Sequence, residues 1–163
     1  MNWQRILVPH DFSGGAARAQ ALAGDLALAC GGRVVLLHVT PLPPGMLPTT
    51  LIRPGDDGPG EITVEDYTTR AAAERLAHWA RPVKARGVEV ECLALVGGIA
   101  ETILAQAQEL RADVIVMGTH GRRGLAHLLL GSIAEKVIRQ ADVPVVTVRS
   151  AGDGDELLEP ELR

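Results

Sequence analysis

Residues 114–141 read VIVMGTHGRRGLAHLLLGSIAEKVIRQA, and this stretch decides the fold class of the chain. An apolar run over Val114–Met117 stops at Gly118, a loop rich in glycine and arginine follows, and a helix is predicted from Ser132 to about Gln140. An uninterrupted apolar run bounded by glycine is typical of a strand buried on both faces, as in a parallel sheet covered by helices. The stretch therefore predicts a buried strand, a glycine loop and a helix, in that order.

The order of strand, glycine loop and helix start indicates an anion site. Glycines let backbone N–H groups approach phosphate oxygens, and the first turn of a helix leaves N–H groups without intrahelical partners. The loop lacks G-x-x-x-x-G-K-[ST], and its first glycines are spaced G-x-x-G-x-x-G rather than G-x-G-x-x-G, so it matches neither the lysine P-loop nor the dinucleotide fingerprint. We expect this stretch to bind nucleotide phosphates; the alternative is that the glycines only punctuate a loop.

Composition narrows the class of protein. A chain of 163 residues fits one domain, and 47% hydrophobic with 22% charged residues is ordinary for a globular fold. The net charge of −4 and the aromatic content of 2% disfavour nucleic-acid binding, which needs basic and stacking surfaces. No apolar run approaches the ~18 residues of a membrane span, and the N-terminus lacks the layout of a signal peptide. We therefore expect no membrane association and a cytoplasmic location, with Cys30 and Cys92 reduced and inert.

Strand-like and helix-like segments alternate along the chain. The predicted strands are Arg5–Pro9, Arg33–Val39, Val88–Val96, Asp113–Met117 and Val143–Val148. The predicted helices run from Ser13 as N-cap to about Cys30, from Val64 to about Ala80 with Pro82 as a kink or end, from Ile99 to Leu110, and from Ser132 to Gln140. This alternation predicts a parallel sheet with helices on both faces and right-handed crossovers. The polar alternation in the third strand places it at a sheet edge.

Two segments fall outside the alternation. Residues 41–62 are dense in proline and glycine and are predicted to form a long surface loop without strand or helix. Such a loop is either a lid over a ligand or a mobile insertion, and the residues do not distinguish the two. Residues 150–163 are acidic and broken by glycine, so we expect a disordered tail.

The glycine pattern also carries a family resemblance. Gly118, two residues, Gly121, nine residues, Gly131 and Ser132 form the nucleotide-binding signature of the universal stress protein family, which the chain resembles from Trp3 to Arg149. The resemblance implies a single domain over residues 1–149. It also implies a five-stranded, doubly wound parallel sheet of the adenine nucleotide alpha hydrolase type, with strand order 3-2-1-4-5. In that order the first and fourth strands are neighbours, and ligands bind beyond the carboxyl ends of strands at such a point.

The resemblance implies an ATP site, with ADP or AMP as other resident nucleotides and Mg²⁺ or Mn²⁺ as companions of the phosphates. Pro9, His10 and Asp11 would lie at the ribose, and Val39 would contact the adenine. The remaining implied contacts belong to the glycine loop: Met117, Gly118, Thr119, His120, Gly121, Arg122, Gly131, Ser132 and Ile133.

From the residues alone, simpler roles stay open for several of these positions. Asp11 is a residue type that often caps a turn, and Val39 could be an ordinary core residue. Ser132 with Glu135 three residues on predicts a capping box, which would orient the same helix start toward an anion. His120 and Arg122 could be merely solvated.

The leading functional hypothesis is an ATP-binding regulator of the stress-response type with slow or no hydrolysis. The resemblance also implies a homodimer paired through Val143–Val148, and an unidentified protein partner fits such a role. One alternative is a nucleotide-hydrolysing enzyme of related fold, although the sequence shows no nucleophile and base pair. The other is a dimeric interaction module that binds no nucleotide.

Overall fold

The computed structural model describes residues 2–55, 60–119 and 130–149. The strands are β1 Arg5–Pro9, β2 Arg33–Thr40, β3 Leu51–Ile52, β4 Ile62–Thr63, β5 Val90–Val96, β6 Val114–Gly118 and β7 Val145–Val148. The helices are α1 Gly14–Cys30, α2 Val64–Lys84, α3 Ile99–Glu109 and α4 Ser132–Gln140. Within these ranges no helix has both the length and the apolar character that crossing a bilayer requires.

Five strands form one parallel sheet in the order β5-β2-β1-β6-β7. Counted along the chain among these five strands, the order is 3-2-1-4-5, so the predicted fold class and the edge position of the third strand are confirmed. β1 is central, with Ile6 opposite Val34 of β2 on one side and Val114 of β6 on the other. Because a central parallel strand is covered on both faces, its middle residues are apolar, and Ile6, Leu7 and Val8 are fully buried.

The core has two layers, one on each face of the sheet. Alanines of α1 and the apolar stripe of α2 pack on one face, where Ala23 and Leu76 are fully buried. Ile103 of α3 and Val137 of α4 pack on the other face. The first two helices thus lie on one face and the last two on the other. The winding therefore reverses between β1 and β6, which leaves a crevice at their carboxyl ends.

Several predicted boundaries were wrong in detail. Residues 41–62 do not lack strands, because Leu51 pairs with Thr63 and Ile52 with Ile62 in a two-residue antiparallel ladder. This ladder is held against the start of α2, where the Val64 amide donates to the Thr50 carbonyl at 2.9 Å.

Helix α2 also runs beyond its predicted end at about Ala80 to Lys84, so Pro82 lies inside the helix and does not end it. Proline removes one intrahelical hydrogen bond, but the buried Val83 and the bond from the Ala85 amide to the Arg81 carbonyl (2.9 Å) carry the helix on. The strands β5 and β7 each begin two residues later than predicted, at Val90 and Val145. The predicted disordered tail lies outside the described residues.

Helix α1 shows how local sequence fixes its ends. The Ser13 hydroxyl accepts from the Ala16 amide at 3.2 Å and caps the start, and Gly31 adopts a left-handed conformation with φ of 65° after the end. A Cβ at Gly32 would lie 2.4 Å from the Trp3 carbonyl oxygen, so glycine is required where the chain passes the segment entering β1.

We expect Gly32→Ala to lower the free energy of unfolding by about 2 kcal/mol, because the added methyl group forces two backbone segments apart. Gly31→Ala is the matched control, since its Cβ would meet nothing within 4 Å and only the left-handed backbone is disfavoured, at about 1 kcal/mol. Urea unfolding of both variants measures the difference. A Gly32→Ala variant no less stable than Gly31→Ala would contradict this packing.

An ion pair joins the first turn of α3 to the second turn of α4. Lys136 donates to Glu101, and this hydrogen bond lowers the pKa of the Glu101 carboxyl. A carboxyl whose pKa is lower in the folded than in the unfolded state stabilises the fold above its unfolded pKa, and this contribution is lost as the pH falls through the folded pKa.

We expect Lys136→Met to raise the pKa of Glu101 toward its ordinary value, because the hydrogen-bond donor and the positive charge are both removed. NMR titration of the Glu101 side-chain carboxyl measures the change. Arg139→Met is the control, since Arg139 pairs with Glu135 on the same helix and should leave the pKa of Glu101 unchanged. An unaltered titration of Glu101 in Lys136→Met would show that the pair does not form in solution.

Candidate functional site

Two turns lie side by side at the carboxyl edge of the sheet, because β1 and β6 are neighbouring strands. Pro9 is the last residue of β1, and the amide of the buried His10 donates to the Leu37 carbonyl at 2.8 Å, which fixes the following turn to β2. Gly118 is the last residue of β6. The structure thus brings together two of the segments that contain predicted site residues, the turn after β1 and the end of β6.

Asp11 is half-buried in the first turn and bonded to the start of α1. Its Oδ1 accepts from the Ser13 amide at 3.1 Å and from the Ser13 hydroxyl at 2.6 Å. These two bonds are those of a capped turn, so the turn-capping alternative for Asp11 is correct. A carboxylate has about four acceptor positions, so capping and binding of a ligand hydroxyl are compatible.

Gly118 packs directly against the first turn of α1. A Cβ at Gly118 would lie 3.1 Å from the Gly15 carbonyl carbon and 3.3 Å from its oxygen. Only glycine allows this separation between the end of β6 and the helix backbone without displacing one of them. The contact sets the distance between the two turns.

Met117 and Val39 lie on the other face of the sheet, the one covered by α3 and α4. Both are buried, at 5% and 7% exposure, and belong to the same apolar cluster. The core role of Val39 is thus observed, and it stands near the carboxyl end of β2.

Thr119 links the end of β6 to β7 and to the residue before α4. Its amide donates to the Val148 carbonyl at 2.9 Å, and its own carbonyl accepts from the Gly131 amide at 2.8 Å. The start of α4 is therefore held beside the end of β6. The predicted contacts His120, Gly121 and Arg122 lie within residues 120–129, outside the described part of the chain.

The capping box predicted at Ser132 is wrong. Gly131 is the N-cap, with φ of −60° and ψ of 143°, and no side chain caps the helix, whose first residue is Ser132. The Gly131 amide donates to the Thr119 carbonyl, which holds Gly131 extended, and the helix begins one residue earlier than a cap at Ser132 would allow. Ser132 is exposed, Ile133 packs on the core, and first-turn amides have no intrahelical acceptors. The uncapped start retains donors that suit an anion.

Sequence reasoning missed the cluster of rings behind the Asp11 turn. The His38 Nδ1–H donates to the His10 carbonyl at 2.7 Å, and the Phe12 ring lies 4.5 Å from the His38 ring. The Trp79 ring of α2 lies 4.9 Å from the ring of His10. The rarity of aromatic residues was a usable signal. The chain has two tryptophans, one tyrosine and one phenylalanine, and the phenylalanine and one tryptophan lie at this turn.

Three other features bear on ligands and reactivity. Among the described residues no group of three or more histidine, cysteine or acidic side chains is arranged to hold a metal ion. A groove of about 520 Å³ between α2 and β5 contains none of the predicted site residues; it is lined by Ile62, Asp66, Thr69, Arg70, Ala73 and Ala94. Burial raises the pKa of the Cys92 thiol, and both cysteines are free.

Comparison with known proteins gives a consistent result. Residues 2–149 match the model of the universal stress protein family. A universal stress protein of Thermus aquaticus is 34% identical over 148 residues, covering 90% of this chain and 99% of the relative. One of Methanocaldococcus jannaschii is 30% identical over 148 residues, covering 90% and 82%.

A solved structure is similar as well. The universal stress protein of Archaeoglobus fulgidus in complex with dAMP has 27% identity and a TM-score of 0.63, covering 90% of this chain and 98% of that one. The match of the family model over nearly all of residues 1–149, two relatives at 30% identity or more, and the sheet order agree. The chain belongs to the universal stress protein family.

Proposed function

We propose that the chain binds ATP at the carboxyl ends of β1 and β6 and acts as a nucleotide-dependent regulator with slow or no hydrolysis. The observation that carries the proposal is the adjacency of the Asp11 turn and the Gly118 turn, with the uncapped start of α4 fixed beside them through Thr119. Support also comes from the Archaeoglobus fulgidus relative, which was solved with dAMP. The family and the two turns together favour an adenine nucleotide over other anions.

In this proposal each segment has one task. The first-turn amides of α4 and the backbone after Gly118 bind phosphate oxygens, because unpaired N–H groups and a helix start favour negative charge. Pro9, His10 and Asp11 lie at the ribose, where a carboxylate accepts from hydroxyl groups. Val39 and Met117 present an apolar wall to the adenine. Gly121, His120 and Arg122 complete the phosphate contacts, and Mg²⁺ or Mn²⁺ neutralises the phosphate charge.

The proposal extends to assembly and location. β7 is the last strand on its side of the sheet, and three of its four residues are half-buried valines, so we propose that a second copy pairs there. Residues 1–149 would then be one domain of a cytoplasmic homodimer. An interaction module without nucleotide would keep this dimer and lose the ATP site.

We expect wild-type protein to bind ATP with Mg²⁺, and Asp11→Asn to weaken the affinity about tenfold, since a charged acceptor is replaced by a neutral one. Isothermal titration calorimetry measures both. Asn keeps the oxygen that accepts from Ser13, so the turn is preserved. Asp142→Asn is the control, because Asp142 is an exposed carboxylate just before β7, at the opposite edge of the sheet.

A wild-type protein that gives no heat with ATP and releases no nucleotide on denaturation would contradict the proposal and favour the interaction module. Fast turnover of ATP, lost in Asp11→Ala, would favour the enzyme instead.

We also expect Gly118→Ala to weaken ATP binding by at least fivefold, because its methyl group pushes the end of β6 away from Gly15 and separates the two turns. The free energy of unfolding should fall by only about 1 kcal/mol, since neighbours need to move a few tenths of an ångström. Calorimetry and urea unfolding separate the two effects. Full ATP affinity in a destabilised Gly118→Ala variant would show that the spacing of the turns does not matter.

A further inference from the structure

Phe12 has a backbone conformation that phenylalanine rarely adopts. Its φ is 65°, and its side chain is 2% exposed. Among the described residues, the other non-glycine residue with positive φ is Arg111, directly after α3, where helices often end in this way. Phe12 follows a strand instead. A bulky residue in the left-handed region is strained and persists where surrounding contacts hold it.

Contacts from three elements hold Phe12 in place. Its amide donates to Nδ1 of His10 at 3.1 Å, and the His10 carbonyl accepts from His38 of β2 at 2.7 Å. The Phe12 ring lies 4.5 Å from the His38 ring. The guanidinium of Arg75 on α2 lies over the Phe12 ring, 4.3 Å from its centroid, in cation–π geometry.

The strained backbone determines where Asp11 points. Asp11 lies between His10 and Phe12, and its Oδ1 meets the amide and hydroxyl of Ser13 at 3.1 and 2.6 Å. The left-handed conformation of Phe12 reverses the chain, and in this conformation the amide and hydroxyl of Ser13 reach back to the Asp11 carboxylate. The ring contacts therefore act on the carboxylate through the backbone that they hold.

We infer that Phe12, held by Arg75, is a positioning residue that fixes the Asp11 carboxylate in its ligand-binding orientation. The inference rests on the proposed role of Asp11 at the ribose. It adds to that proposal a residue on the helix-packed side of the turn that sets nucleotide affinity without touching the nucleotide. A purely structural role for Phe12 is the competing explanation, and it predicts no dependence on Asp11.

The decisive experiment is a double-mutant cycle with ATP and Mg²⁺ in calorimetry. We expect Phe12→Leu, which keeps an apolar side chain and loses the ring contacts, to weaken ATP binding about tenfold in the wild-type background. In the Asp11→Asn background the same change should cost less than about twofold, because the group through which it acts is already altered. Equal losses in both backgrounds, or no loss in either, would overturn the inference.

A probe without ribose separates positioning from general damage. Inorganic tripolyphosphate with Mg²⁺ should bind Phe12→Leu and wild type equally, since the phosphate contacts come from the glycine loop and α4. Loss of tripolyphosphate affinity in step with ATP affinity would mean that Phe12 supports the whole site and not Asp11 in particular.

Arg75→Met serves where Phe12→Leu does not fold, because Met keeps the apolar stem and removes only the cation. We expect a threefold to fivefold loss of ATP affinity, in line with the loss of one cation–π contact. Arg70→Met is the matched control, since Arg70 is an exposed arginine on the same helix that pairs with Glu74. An equal effect of the two changes would exclude a specific role for Arg75.

A measurement without nucleotide tests the positioning of Asp11 separately from the proposed function. We expect the Ser13 amide to exchange its hydrogen at least fivefold faster in Phe12→Leu, while the Leu7 amide in β1 is unchanged. Should the wild type bind no ATP, the proposed function fails, and the Ser13 exchange still decides the positioning. Unchanged Ser13 exchange would overturn the inference.

Discussion

The contact of Gly118 with the first turn of α1 is the constraint on which the rest of the site depends. A Cβ at position 118 would approach the Gly15 backbone to 3.1 Å, so the end of β6 lies too close to the start of α1 to accept a side chain without a shift. β6 carries the glycine loop, and α1 is capped by Ser13, which in turn holds Asp11. One backbone contact thus fixes the separation of two chemically different turns that are more than a hundred residues apart in the sequence.

The fold was largely predictable because its signals are local and repeated. Each buried strand of the parallel sheet is a short apolar run, and Ser13 and Gly31 mark the ends of α1 as capping rules require. The strand order was not contained in that periodicity and came from the resemblance to a family. Errors arose where a tertiary contact changed a local preference. The Thr119 carbonyl made Gly131 and not Ser132 the N-cap, and burial of Val83 carried α2 past Pro82.

The candidate site was predictable in part. The sequence placed Asp11 and Gly118 at the ends of two strands, and the structure places those strands side by side. Their binding of nucleotide stays a prediction, as do the roles of His120, Gly121 and Arg122. The support of the Asp11 turn by Phe12, His38 and Arg75 was not predictable, because these residues come from β2, α2 and the turn itself. No spacing in the sequence relates them; only the packing of α2 on the sheet does.

The central claim is that one nucleotide contacts both turns at once. NMR spectra of the backbone amides during titration with ATP and Mg²⁺ test it most directly. The account predicts that the amides of Asp11, Gly118, Ser132 and Ile133 shift together along one binding curve. Shifts confined to the groove between α2 and β5, or to one of the two turns, would contradict it.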